Sequence, residues 1–142
     1  MKRKYCCLIL FFLLFSFASY GEEKDTLRNV IEEYTKALNE TNKEAIKSCF
    51  DNPNSISVNY ILNFFDICKE YGVEIKYDIL ILNISIFDNI AEVKLKTICT
   101  LSGKDEESTK LLQMYSPPLI NSIMTLRKNN GEWKIVSEEI IE

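Results

Sequence analysis

From residue 24 onward, apolar positions recur with two different periods, and the change between them divides the chain. Leu27, Val30, Ile31, Tyr34, Ala37 and Leu38 fall at three- and four-residue steps. That spacing predicts an amphipathic helix over 24–39, with Arg28, Glu32, Glu33, Lys36 and Glu40 on its opposite face. Thr41-Asn42-Lys43-Glu44 has capping-box spacing, with Thr41 as N-cap and Glu44 three residues on. It opens a short helix that turns Ala45, Ile46, Cys49 and Phe50 inward, and the stretch from Asp51 to Ser55 breaks it. A third helix is predicted over 57–71, with Val58, Ile61, Leu62, Phe65 and Cys68 as its stripe. Gly72 stands where a left-handed C-terminal cap is wanted.

From Val73 the period is two. Val73, Ile75, Tyr77, Ile79 and Ile81 alternate with polar residues, then at Leu80 the phase slips to Leu82, Ile84 and Ile86. Such a slip predicts a bulge, or a strand buried on both faces near its middle. Asp88-Asn89 reads as a tight turn into a strand over 90–101, with Ala91, Val93, Leu95, Thr97, Cys99 and Leu101 on one face. Ser102 to Ser108 reads as a polar loop, and residues 109–116 fit a strand, a helical turn or a lid. Pro117-Pro118 forces extended backbone into a strand over 119–127, with Ile120, Met124 and Leu126 on one face. Asn129-Asn130-Gly131 is a hairpin signal, and residues 132–141 form the last strand, carrying Trp133 and Ile135. Helices first and strands last predict an α+β fold: three N-terminal helices packed on a curved four-stranded antiparallel meander.

Residues 1–21 are patterned differently. Lys2, Arg3 and Lys4 precede an apolar stretch from Tyr5 to Ala18, and a small-residue segment ends at Gly21. This is the layout of a secretory signal peptide. The apolar core is shorter than the roughly 20 residues of a bilayer-spanning helix. Cleavage is expected between Gly21 and Glu22, leaving 22–142 as one exported domain, periplasmic or extracellular. The alternative is an N-terminal membrane anchor held by its basic residues.

Removing Lys2, Arg3 and Lys4 shifts the formal charge from −4 to −7. So acidic a domain argues against nucleic acid and against anionic lipid. The chain has no His, which excludes Ser-His-Asp and Cys-His catalysis and His-containing zinc sites. No phosphate-binding glycine loop or nucleophile-elbow motif is present. No cofactor or metal is expected. Of the five cysteines, Cys49, Cys68 and Cys99 lie beyond the leader, all on predicted apolar faces. Buried thiols are one reading; a bridge is the other, with Cys49 and Cys68 as the pair to test because their helices are expected to pack together.

Two segments carry a family resemblance. One runs from Val30 to Asp51, where a long helix leads into a short one ending in Cys49-Phe50; the other runs from Met124 to Ile140, around Gly131-Glu132-Trp133-Lys134-Ile135. Together they resemble the nuclear transport factor 2-like superfamily, in particular small exported bacterial members of unassigned function. The resemblance implies a cone-shaped α+β fold. Enzymes of the superfamily use a pocket Tyr and Asp or a His–Asp pair; the second is impossible here, and no motif maps the first.

A curved sheet over helices leaves a cavity at its open end. Tyr34, Phe64, Tyr77, Cys99, Met124 and Trp133 are the side chains expected to reach it, with core filling as the competing reading. Asp66 and Asp78 are the carboxylates considered for a cavity base. Three functions follow. The first is a non-catalytic exported domain binding a small molecule or protein partner on the concave face. The second is a lyase or isomerase using Tyr and Asp. The third is a dimerisation or assembly module, a homodimer formed through the sheet.

Overall fold

The computed structural model describes the backbone of residues 2–141 and the side chains of residues 19–141. Four helices and four strands follow in the order α1 (Lys2–Asn39), α2 (Lys43–Cys49), α3 (Ile56–Glu70), β1 (Val73–Phe87), β2 (Ile90–Gly103), α4 (Glu106–Gln113), β3 (Leu119–Asn129) and β4 (Glu132–Ile141). The expected helix over 24–39 is the second half of α1, and Gly21 and Glu22 lie within that helix. The leader's side chains up to residue 18 lie outside the described residues. Among the described residues, no helix is long and apolar enough to cross a membrane.

Local chemistry sets the helix ends. α2 is capped by Asn42, whose side chain accepts from the Ala45 amide at 3.1 Å. The expected cap, Thr41, instead takes a positive φ of 48° and turns the chain between α1 and α2. Ser55 caps α3 by accepting from the Val58 amide. Asp105 caps α4, with Glu106 and Glu107 in its first turn, where the helix dipole favours acids. The sequence expectation placed a polar loop and an undecided segment there, so this fourth helix is an addition to the expected three.

The sheet is an antiparallel meander, β1-β2-β3-β4. Its inner face is set by β2, where Ala91, Val93, Leu95, Thr97, Cys99 and Leu101 are all buried. β1 keeps Ile75, Tyr77, Ile79 and Ile81 against the core; the register then shifts between Ile81 and Asn83, leaving Leu82 as a bulge. Beyond the bulge Ile84 and Ile86 pack inward, and Leu82 is 60% exposed. The phase slip in the sequence is this bulge. The last hairpin turns through Asn130 and Gly131, both at positive φ, which Asn and Gly tolerate best. The main core joins Leu27, Ile31 and Leu38 of α1 and Ile46 of α2 to Val93, Leu95, Met124, Leu126 and Ile135 of the sheet. Burying each such side chain contributes about 1.5–3 kcal/mol.

Candidate functional site

The helices do not close the whole concave face. Between α1, α3, the loop after α4 and the inner side of all four strands lies a solvent-open cavity of about 430 Å³. Tyr34 and Leu38 come from α1, Tyr60, Ile61 and Phe64 from α3, and Tyr77 and Ile79 from β1. Thr97 of β2, Ile120 of β3, Glu138 and Ile140 of β4, and Tyr115 to Pro117 complete the wall.

Glu138 reaches the cavity through a backbone irregularity. Leu126 pairs with Ile135 but Thr125 pairs with Ser137, so Val136 is an extra residue in β4. The extra residue reverses the alternation. Beyond it, Glu138 stands opposite the fully buried Met124 and Ile140 opposite the fully buried Ser122. Cross-strand partners share a face, so Glu138 and Ile140 turn to the concave side and line the cavity.

The Ser122 hydroxyl donates to Glu138 Oε1 at 2.6 Å. Glu138 is exposed as a residue, and its carboxyl is part-buried where it meets Ser122. Burial pushes its pKa up, and the Ser122 hydrogen bond partly offsets the rise. Across the cavity, Tyr34 is 3% exposed. Burial raises its phenol well above the ordinary value, and the charge of Glu138 raises it further, followed by Tyr77 and Cys49. Tyr77 is also raised, first by burial and then by Cys99 and Cys68. Thr97 is 7% exposed, and among the described residues its Oγ1 has no hydrogen-bond partner.

Two contacts position the walls. Asn39, at the end of α1, bonds both backbone groups of Tyr77: Tyr77 N donates to Oδ1 at 2.7 Å, and Nδ2 donates to Tyr77 O at 2.9 Å. At the rim, the Tyr60 hydroxyl donates to the Tyr115 carbonyl at 3.1 Å, tying α3 to the loop after α4.

Of the side chains expected at the cavity, Tyr34, Phe64 and Tyr77 line it. Cys99, Met124 and Trp133 do not. Cys99 packs in a second cluster with Cys68, Val73, Leu101 and Leu112, and accepts from Ser116 Oγ at 3.2 Å. Met124 is fully buried in the main core. Trp133 lies in the same core under Lys128, whose Nζ is 5.7 Å from the ring centroid. Asp66 and Asp78 are both exposed on outer faces. Asp66 pairs with Lys43 at 2.6 Å, and Asp78 approaches Lys76 at 3.9 Å. Neither is a cavity base; Glu138 is the cavity carboxylate, and the expectation missed it together with Thr97, Tyr60 and Tyr115.

The Cys49–Cys68 bridge is also corrected: Cys49, Cys68 and Cys99 are free thiols. α2 docks on β4, where Phe50 bridges Ile135 and the Asp51 amide donates to the Ile135 carbonyl at 2.8 Å, so Cys49 joins the main core. Cys68 belongs to the second cluster, with Cys99. Among the described residues, no three His, Cys, Asp or Glu side chains cluster to hold a metal ion. In a second depression, near Lys43, Asp66 and Gly72, the polar groups are already engaged, Lys43 with Asp66 and Asn39 with the Tyr77 backbone.

This arrangement of helices under a curved meander recurs in solved structures. A nuclear transport factor 2-like protein of unknown function from Silicibacter pomeroyi superposes with a TM-score of 0.57 at 15% identity, over 86% of this chain and 98% of that one. A nuclear transport factor 2-like protein from Cytophaga hutchinsonii gives 0.58 at 7% identity, over 82% and 95%. A conserved protein from Planctomyces limnophilus gives 0.60 at 10% identity, over 85% and 99%. A scan of protein-family models and a search of curated proteins each gave no match. The chain has the nuclear transport factor 2-like fold, as its opening helix pair and closing hairpin implied. At these identities the likeness is one of fold, and function must be argued from the cavity.

Proposed function

We propose that this chain is a non-catalytic binding domain that takes a small, mainly apolar molecule, or an apolar side chain of a protein partner, on the concave face of its sheet. The observation that carries this reading is the open cavity of about 430 Å³. Small-molecule sites run to roughly 300–1,000 Å³ and combine apolar walls with a few placed polar groups. Here the walls are aliphatic and aromatic, and Glu138, Tyr34 and Thr97 supply the polar atoms. A ligand that binds the folded state raises the melting temperature. Apolar aromatic fragments are expected to do so, and Ile120→Trp, which fills the cavity, is expected to lose the response. No shift with any fragment, or an equal shift in the filled variant, refutes the reading.

Residues 1–21 carry the proposal of export, with 22–142 as the working domain. N-terminal sequencing of the mature protein tests it: Glu22 at the terminus supports it, and Met1 supports an anchor instead.

Two other readings have an observation each. A lyase or isomerase loses Asp66 and Asp78, but Glu138 and Tyr34 place a carboxylate and a phenol in one cavity. With Glu138 as base, the protein would exchange the α-protons of a ketone with D2O, and Glu138→Gln would stop it; no exchange removes this reading. An assembly module draws on Leu80, Leu82 and Ile98, exposed on the outer side of the sheet. A monomer by light scattering at high concentration removes it.

A further inference from the structure

We infer that the ligand selected by this cavity is an organic cation, an amine or quaternary ammonium bearing apolar substituents. The inference rests on the binding reading above and adds the charge of the ligand. Tyr34, Tyr60, Phe64, Tyr77 and Tyr115 all line the one space. Aromatic faces carry negative electrostatic potential, and several converging rings attract a cation while also burying its alkyl groups.

Charge points the same way. Glu138 is the cavity's carboxylate, and among the described residues no Lys or Arg lines the wall. Among the described residues Glu138 has no ion-pair partner. Its hydrogen-bond donor there is the neutral Ser122 hydroxyl. Glu138 is exposed as a residue, but its part-buried carboxyl has no counter-ion in the empty protein. A cationic ligand supplies the missing partner. A neutral ligand of the same shape gains the apolar contact but leaves Glu138 unpaired. An anion is opposed by the charge of Glu138. The formal charge of −4 for the whole chain favours encounter with cations as well.

Choline and 3,3-dimethylbutan-1-ol test the inference, because the two share a shape and differ in charge. Each is titrated by NMR into the full chain, read at the cavity resonances. Choline is expected to bind about tenfold more tightly than the alcohol. Glu138→Gln is expected to bring the two affinities together, and Tyr60→Leu to weaken choline selectively. Equal affinities in the unaltered chain, or a preference for the alcohol, overturn the cation inference and leave the binding reading in place. Failure of choline while apolar fragments still bind does the same. Failure of both probes and of every apolar fragment overturns both readings.

Discussion

The Ser122 hydroxyl donates to the Glu138 carboxylate at 2.6 Å, across the β3–β4 pair that the Val136 bulge reorganises. Ser122 is fully buried, so this bond is made inside the sheet and fixes where the carboxylate faces. Burial nevertheless dominates and holds the Glu138 pKa above its ordinary value. For an acid raised in the folded state, the ionised form is the disfavoured one. The protonated carboxyl's stabilising contribution is complete below the ordinary Glu pKa and is lost as pH rises through the folded pKa. The phenols of Tyr34 and Tyr77 line the same cavity, and burial raises both, so neither ionises in that window. Glu138→Gln is therefore expected to raise stability at neutral pH and to flatten its decline above the carboxylate range. Urea melts across a pH series check this; an unchanged slope contradicts it. Ser122→Ala is expected to cost about 1 kcal/mol and to raise the Glu138 pKa further.

Asn39 acts as a substitute strand partner for the exposed edge of β1. Its amide satisfies both the N–H and the carbonyl of Tyr77 at 2.7 and 2.9 Å. Asn39→Ala is expected to destabilise the protein by about 0.5–1.5 kcal/mol, since two exposed backbone groups exchange their partner for water. Asn39→Asp keeps the acceptor and loses the donor, so its cost should fall between the two. Denaturant melts of the three proteins give that order or refute it.

Trp133 is 3% exposed, and among the described residues its Nε1 has no hydrogen-bond partner. Its value is thus volume, not polarity. Trp133→Phe removes an unsatisfied donor along with some packing and is expected to cost less than about 1.5 kcal/mol. Trp133→Ala leaves a core void and is expected to cost about 3–5 kcal/mol. Equal costs for the two would show that the indole N–H matters.

Cys68 is buried, and burial pushes its thiol up to about 11, with Cys99 adding to the rise. At pH 8 roughly one molecule in a thousand carries the thiolate, which is the reactive form. Iodoacetamide is expected to label Cys68 only after unfolding, and reduction of the native protein is expected to release no additional thiol from Cys49, Cys68 or Cys99. Fast native labelling at Cys68, or a bridge found by peptide mapping, contradicts the packing described.

Local periodicity made much of this fold legible. The stripe on α1 and the alternation along β2 follow from side-chain period alone, and the break at Leu82 was visible because apolar residues changed phase there. β4 contains the same kind of slip: Trp133 and Ile135 are odd, Ile140 is even. Val136, itself apolar, fills the step between them and hides the bulge. The same step hides Glu138, among the described residues the one carboxylate on the cavity wall. α4 had its signal too, an Asp followed by two Glu, which is a capped and charge-matched helix start as well as a solvated run. Tyr60 and Tyr115 could not be paired in advance, because their approach depends on how α3 and the loop after α4 pack over the sheet. The Cys49–Cys68 pairing failed on the same ground, since adjacency of two helices does not fix which core each thiol enters.

Chemical-shift mapping with indole on the labelled full chain tests the central claim most directly. If the cavity is a binding site, shifts will concentrate on Tyr34, Phe64, Thr97, Ile120 and Glu138, and Ile120→Trp will abolish them. Shifts confined to the outer sheet face around Leu82 and Phe87, or no saturable shift at all, would contradict the account.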